Sequence, residues 1–239
     1  DDGVQIIDIS DPTAIVAKDS KTDGEDSFEL DGVRNVSTFT IGSSTYAIVV
    51  TLNDDGVQII DISDPDNIVV TDTETDGENS FDELNGAYEV DTFVIGSNTY
   101  AIVASYFDSG VQIIDISDPT DIVAMDSETD DSSFCHPSAC VLKRAYEVDT
   151  FVIGSSTYAI VTATIDDGVQ IIDISNPAAI VAKDRETDGV NSFDELEGAH
   201  GVDTFVIGSS TYAIVVSHQD DGVQIIDISD PDNIVATDS

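Results

Sequence analysis

The stretch Asp54-Asp-Gly-Val-Gln-Ile-Ile-Asp-Ile-Ser-Asp-Pro65 holds a turn, an apolar run and a second turn. Asp-Gly before an apolar run indicates a tight turn, because glycine tolerates the positive φ that such turns need. The run Val57 to Ile62 is rich in β-branched residues and predicts a strand that is apolar on both faces, and therefore covered on both sides. Ser-Asp-Pro ends this strand, because proline has no N–H to donate to a neighbouring strand.

Near-copies of this stretch recur through the whole chain. They begin at Asp1, Asp54, Asp108, Asp166 and Asp220. Five of the six prolines close these copies, namely Pro12, Pro65, Pro119, Pro177 and Pro231. Self-similarity at a spacing of 53 to 58 residues indicates a repeat architecture.

Each full unit contains four strand patterns. In the second full unit the predicted strands are 88–95, 99–105, 111–117 and 121–125, joined by short turns, as in a four-stranded antiparallel meander. A helix-free sheet that repeats about every 50 residues predicts an all-β chain folded as a β-propeller. The alternative is an open superhelical array of sheets, in which residues 1–19 pair with another chain through an exposed edge.

The predicted domain is a single propeller over residues 1–239. It begins with a half unit, 1–19, followed by units of about 20–73, 74–127, 128–185 and 186–239. Four complete blades and an N-terminal half blade favour five blades in the full protein.

The chain also resembles the LVIVD-repeat family of cell-surface propellers. The resemblance rests on Gly-Val-Gln-Ile-Ile-Asp-Ile-Ser-Asp-Pro and on the preceding Thr-Tyr-Ala-Ile-Val strand, and it covers essentially the whole chain. The unit is about ten residues longer here than in that family, in the connector between units. The resemblance implies a bacterial or archaeal surface protein, and it brings no catalytic residues with it.

The charge balance restricts the partners. Seven basic and 49 acidic residues give a net charge of −42, which repels nucleic acid and anionic lipid. We expect an acidic coat suited to an extracellular or cell-surface location, without direct membrane insertion. In an exported protein Cys135 and Cys140 are expected to form a small disulfide; the competing interpretation is a metal site that includes His136.

The copies differ most in two loops that a meander places at the same end of each blade. One loop precedes Asp-Gly, and the other begins the first strand of the unit. Aromatic residues are common at interfaces, so this end is predicted to bind a partner unless the variation is drift in tolerant loops. The predicted binding face comprises Arg34, Leu52, Asn53, Tyr88, Tyr106, Phe107, Tyr146, Ile165, His200 and His218.

The connectors between units carry oxygen-bearing side chains around a glycine, which suits Ca²⁺. The candidate calcium ligands are Asp23, Asp26, Glu29, Asp76, Asn79, Glu83, Asp188, Asn191 and Glu195. The alternative is that Ser80-x-x-Glu83 caps a short helical turn above Phe81 and Leu84.

Asp91, Asp149 and Asp203 recur in the first strand, with Ser37 in the remaining copy. They are expected to accept hydrogen bonds from backbone N–H groups or water; a cation bound by a ring of carboxylates is the alternative.

No nucleophile–histidine–acid arrangement or phosphate loop is recognisable, so the sequence predicts a protein that is not an enzyme. The favoured function is an exported structural or assembly component of a surface layer, stalk or filament, linked by calcium and self-association. The alternative is a binding or adhesion module for a glycan, a peptide or another surface protein.

Overall fold

The computed structural model describes residues 2–130 and 140–238, and in those ranges every regular element is a β-strand. The half blade contains β1 (Gly3–Asp8) and β2 (Val16–Thr22). Blade 1 contains β3 (Val33–Ile41), β4 (Ser44–Thr51), β5 (Gly56–Asp61) and β6 (Val69–Thr75). Blade 2 contains β7 (Ala87–Ile95), β8 (Asn98–Ser105), β9 (Gly110–Asp115) and β10 (Val123–Thr129). Blade 3 contains β11 (Ala145–Ile153), β12 (Ser156–Ala163), β13 (Gly168–Asp173) and β14 (Val181–Thr187). Blade 4 contains β15 (Ala199–Ile207), β16 (Ser210–Ser217), β17 (Gly222–Asp227) and β18 (Val235–Asp238).

Each blade is an antiparallel meander whose strands pair in chain order, which confirms the predicted β-propeller fold. The fourth strand differs from its prediction, because it runs from Val123 to Thr129 rather than over 121–125. A turn delays its start, since the Asp121 N–H donates to the Asp118 carbonyl at 3.1 Å. At its far end Thr129 still pairs with Gly110. A count of five blades in the full protein stays a prediction.

The repeated Ser-Asp-Pro turn is fixed by side chains. The Asp61 carboxylate accepts a hydrogen bond from the Ser63 N–H at 2.8 Å. The Ser63 hydroxyl in turn accepts from the Thr45 N–H at 3.0 Å. This second bond ties the turn to the tight turn between β3 and β4, so both turns lie at the same end of the blade. The long connectors and variable loops are therefore at the other end.

Consecutive blades pack through apolar faces. Their inner strands β3, β7, β11 and β15 lie side by side in that order. Between blades 1 and 2, Ile48 and Val57 pack against Leu84, Val103 and Ile114, all of them buried. Equivalent clusters join blade 2 to blade 3 and blade 3 to blade 4. This packing explains why the repeated Val-Gln-Ile-Ile-Asp-Ile strand is apolar on both faces, because every such strand inside the array has a blade on each side.

A recurring side-chain hydrogen bond crosses the blade boundaries near the outer strands. The Asp72 carboxylate of blade 1 accepts from the Ile122 N–H of blade 2 at 2.7 Å. The same bond recurs in three other pairs, Asp19–Ile68, Asp126–Ile180 and Asp184–Ile234. Since these N–H groups are partly buried, the carboxylates satisfy donors that would otherwise lack water.

Two blade faces are uncovered. Ile15 of the half blade is 63% exposed, whereas Ile122, at the same repeat position, is 4% exposed. At the opposite end of the array, Ile207 of blade 4 is 65% exposed. A cavity of about 400 Å³ lies between the half blade and blade 1. It is lined by Val4, Ile6 and other apolar side chains. In a complete blade, the first and second strands lie next to the equivalent place.

Replacing Ile122 by alanine should lower the free energy of unfolding by about 3 kcal/mol, because it leaves a cavity between two blades. The matched control is Ile15→Ala at the same repeat position, which should change it by less than about 0.5 kcal/mol because Ile15 is exposed. Urea unfolding followed by circular dichroism measures both. Equal destabilisation by the two variants would show that Ile15 is covered in solution.

Candidate functional site

The start of each inner strand presents one variable side chain to its neighbours. Arg34, Tyr88, Tyr146 and His200 occupy this position in blades 1 to 4. Because the inner strands lie side by side, these side chains form a row across the array. The loop between the second and third strands closes over the same end; in blade 2 the Tyr106 N–H donates to the Gly86 carbonyl at 2.9 Å.

The rings in this row are in contact. The centroids of Tyr88 and Tyr146 are 4.2 Å apart, and their hydroxyl groups share a hydrogen bond. Tyr146 also lies 3.8 Å from the His200 ring, which is 6.4 Å from His218. Burial and the Tyr88 hydroxyl raise the pKa of Tyr146, so its phenol stays protonated at neutral pH.

A second row of rings comes from the loop of blade 2. Tyr106 lies 5.8 Å from Tyr88 and 6.3 Å from Tyr146, and it packs edge-on against Phe107 at 5.3 Å. We call Tyr88, Tyr106, Phe107, Tyr146, His200 and His218 the aromatic cluster.

Two arginines lie on the faces of these rings. The Arg34 guanidinium is 5.1 Å from the Tyr88 ring centroid, and that of Arg144 is 4.9 Å from the Tyr106 centroid. Both distances are within the range of a cation–π contact.

Two adjoining cavities open at the aromatic cluster and share Tyr106 and Tyr146 as a common wall. The first, of about 300 Å³, is lined by Arg34, Leu52, Tyr88, Tyr106, Phe107 and Tyr146. The second, of about 310 Å³, is lined by Tyr106, Arg144, Tyr146, Thr164, Ile165, Gly198, His200, His218 and Gln219. Concave sites with aromatic walls and a few polar groups are typical of small-ligand sites.

Nine of the ten residues predicted for the binding face line one of these two cavities. Asn53 is the exception, since its amide donates to the Asp31 carboxylate at 2.9 Å. His200 is also not a loop residue, because it lies within β15. Sequence reasoning missed Arg144. Alignment of the copies shows the signal for it, since the other three full units have glycine there, namely Gly32, Gly86 and Gly198.

Two glutamates follow the tyrosines in the inner strands of blades 2 and 3. Burial and repulsion from Glu147 raise the pKa of Glu89 to about 8. Burial also raises the pKa of Glu147. Glu89 is therefore largely protonated at neutral pH and able to donate a hydrogen bond.

The recurring aspartates of the inner strands mainly serve the backbone, as expected. The Asp91 carboxylate accepts from the Thr150 N–H at 3.0 Å and from its hydroxyl at 2.6 Å. Asp149 accepts from the Thr204 N–H at 2.7 Å. These bonds join consecutive inner strands.

The candidate calcium ligands do not converge. Asp76 accepts from the Leu84 N–H at 3.1 Å, whereas Asn79 donates to Glu74 at 2.9 Å. Asp188 and Asn191 repeat this arrangement, and Asp23 accepts from the Leu30 N–H while Asp26 pairs with Lys21. Within residues 2–130 and 140–238, no three His, Cys, Asp or Glu side chains are grouped to hold a metal ion. Calcium binding stays a prediction.

The expected helical turn at the connector is replaced by a bridge between Glu78 and Phe81. Phe81 and Leu84 are fully buried beneath it, as the sequence suggested.

Cys135 and His136 lie outside the described residues, so the Cys135–Cys140 disulfide stays a prediction. The described residues contain no helix long and apolar enough to cross a membrane.

A family model of the LVIVD repeat matches residues 1–23, 94–129, 155–187 and 209–237, together about half of the chain. No curated protein sequence matches significantly.

Solved structures with a similar fold include a protein from Lactobacillus plantarum (10% identity, TM-score 0.66). They also include the periplasmic gluconolactonase of Pseudomonas aeruginosa (9%, 0.69) and an exo-β-1,3-galactanase from Phanerochaete chrysosporium (9%, 0.53). The alignments cover 99%, 99% and 88% of this chain and 64%, 62% and 50% of those proteins. The aligned part therefore makes up less than two thirds of the length of each neighbour.

These neighbours correct one prediction. The conclusion that the chain is not an enzyme is wrong as it stands, because the gluconolactonase and the galactanase are enzymes built on the same fold. A missing sequence motif therefore does not exclude catalysis here. At about 10% identity the likeness shows the fold alone, and no activity is carried over.

Replacing Glu89 by glutamine should raise the melting temperature at pH 8 to 9 and leave it nearly unchanged at pH 4 to 5. The folded-state pKa of about 8 exceeds the ordinary value of 4.5, so the folded state binds the proton more tightly. Between these two pKa values the unfolded chain loses the Glu89 proton while the folded state keeps it, so the free energy of unfolding falls as the pH rises. Glutamine has no such proton, and the variant therefore lacks this loss of stability. Scanning calorimetry across this pH range measures the effect.

The exposed Glu197→Gln is the control for the loss of one negative charge. An equal gain in that variant at pH 8 would mean that the net charge of −42, rather than the burial of Glu89, is responsible.

Proposed function

We propose that this chain, which belongs to the LVIVD-repeat family, is a binding module that holds a saccharide at the aromatic cluster. The observation that carries the proposal is the pair of adjoining cavities with Tyr106 and Tyr146 as their shared wall. Successive units of a chain-like ligand suit two adjoining cavities of similar size.

The chemistry of the walls favours a sugar. The less polar face of a sugar ring packs on aromatic side chains, and its hydroxyl groups need hydrogen-bond partners around the rim. Thr164 and Gln219 supply side-chain oxygen and nitrogen atoms at the second cavity. Phe107, at 57% exposure, keeps an apolar surface open beside the first cavity. A peptide is the competing ligand.

Replacing Tyr146 by alanine should weaken saccharide binding about tenfold, because it removes the ring shared by both cavities. Neutral tetrasaccharides of glucose and of N-acetylglucosamine serve as probes. The chain has no tryptophan, and three of its seven tyrosines lie in the aromatic cluster, so a saccharide bound there should change the tyrosine emission. The matched control is Tyr212→Ala, near the tight-turn end of blade 4.

Unchanged emission of the native protein with every saccharide, or equal affinity in the Tyr146 variant, contradicts the proposal. A response to an unrelated peptide alone would favour the competing ligand.

A second function, self-association, is favoured by the uncovered blade faces. Ile9 and Ile15 of the half blade are 70% and 63% exposed, and Ile207 of blade 4 is 65% exposed. Faces of this kind cover one another at three boundaries inside the chain. We therefore propose that the blade 4 face of one copy packs against the half blade of a second copy, head to tail.

Substituting Ile207 by aspartate should shift the 239-residue chain towards the monomer, because the contact would bury an unpaired charge. Sedimentation velocity at rising protein concentration measures this, with Val206→Asp as the control. Val206 is exposed to about the same extent as its counterparts Val94 and Val152 inside the array, so it lies outside any blade contact. A native chain that stays monomeric throughout contradicts self-association.

A cell-surface location, a calcium-linked assembly and the Cys135–Cys140 disulfide remain proposals that accompany either function. Alkylation of the native protein under non-reducing conditions tests the disulfide: a thiol that reacts at either position argues against it.

A further inference from the structure

Arg144 occupies a position that the repeat reserves for glycine. The other three full units have Gly32, Gly86 and Gly198 there, with φ of 69°, 69° and 68°. Arg144 adopts the same left-handed conformation, at φ 56°. This conformation is costly for a residue with a side chain, and such strain concentrates at functional sites. Packing does not require the arginine, because the repeat folds with glycine elsewhere.

A second departure from the repeat lies directly beside the first. In two other units an aspartate carboxylate accepts from the glycine N–H, since Asp55 binds Gly86 and Asp167 binds Gly198, both at 2.8 Å. At Arg144 the acceptor is the Ser109 hydroxyl, at 3.1 Å. The blade 2 loop beside Arg144 thus lacks the carboxylate that the corresponding loops of blades 1 and 3 carry.

Within residues 2–130 and 140–238, the Arg144 guanidinium has no acidic partner at ion-pair distance. The ion pairs found among the described residues, with N···O distances up to 4.0 Å, all involve lysine. In a chain with 49 acidic residues, Arg144 lies instead over the Tyr106 ring, at the wall of the second cavity. Stacking holds the planar guanidinium in place and leaves its N–H edges available for a carboxylate.

We propose that the second cavity binds a sugar unit that carries a carboxylate, a uronic acid type of ring, with Arg144 as the residue that selects the acid. This inference rests on the proposed saccharide function and adds the ligand class. Tyr106 and Tyr146 contact the ring, and Arg144 pairs with its carboxylate.

The net charge of −42 limits the size of such a ligand. At physiological salt the interaction between exposed charges is largely screened beyond about 8 Å. A mono- or disaccharide is therefore governed by the groups lining the two cavities, whereas a long polyanion meets the acidic coat along its length. The ligand is accordingly a short acidic saccharide or the end of a longer glycan.

The test compares uronic acid disaccharides with their uncharged methyl esters, by calorimetry at pH 7 on the 239-residue chain. Disaccharides of glucuronic, galacturonic and mannuronic acid form the panel. The native protein should bind at least one acid about tenfold more tightly than its ester, the size expected for a charge-assisted pair.

Two variants restore the residues of the repeat itself, so they should keep the fold. Arg144→Gly should bind acid and ester equally, with a melting temperature equal to or above that of the native protein. Ser109→Asp should weaken binding of the acid severalfold and leave the ester unaffected, because it returns a carboxylate next to the arginine.

Each result decides between the proposals. Equal binding of acid and ester by the native protein overturns the ligand class and leaves saccharide binding intact. A preference that persists in Arg144→Gly overturns the role of Arg144. Acetate that binds as tightly as the acidic disaccharide overturns the sugar assignment. If neither acids, esters nor the neutral tetrasaccharides bind, the proposed function itself fails.

Discussion

The contact between blades is the interaction on which the rest of this structure depends. A sheet that is apolar on both faces cannot be stable alone in water, because one face would always be exposed. The Val-Gln-Ile-Ile-Asp-Ile run makes every blade such a sheet, and Ile59 and Ile60 point to opposite faces and are both buried. Each blade is therefore stabilised by the neighbours that cover its faces, and the repeat of the sequence becomes an ordered stack.

The candidate site follows from that stacking. Side-by-side packing brings the inner strands into contact, so residues that are far apart in sequence become neighbours. Tyr88 and Tyr146 meet in this way, and their rings and hydroxyl groups are in contact. The site belongs to no single blade. The same stacking links Asp91 to Thr150. The middle of each inner strand therefore holds the blades together, while the residue at the start of the strand, in the aromatic cluster, differs from blade to blade.

The sequence predicts the repeated features well and the particular ones poorly. The strand order, the turn at Ser-Asp-Pro and the shared end of the variable loops follow from local chemistry that recurs five times. The partners of the oxygen-rich connectors could not be predicted, because Asp76 and Asp188 accept from backbone N–H groups that no sequence pattern displays. The raised pKa of Glu89 was equally invisible, since it depends on burial and on Glu147 from the next blade.

A chain made of copies contains its own reference for backbone strain. In a single domain, an arginine at φ 56° gives no indication of what else would fit there. Here the other units show that glycine fits, that a carboxylate normally accepts the N–H, and that neither change is needed for folding. Since the arginine lines the second cavity and the missing carboxylate lies at its backbone N–H, a cause that acts at that cavity explains both. Drift in tolerant loops alone gives no reason why a strained arginine should lie at the wall of that cavity, over the Tyr106 ring.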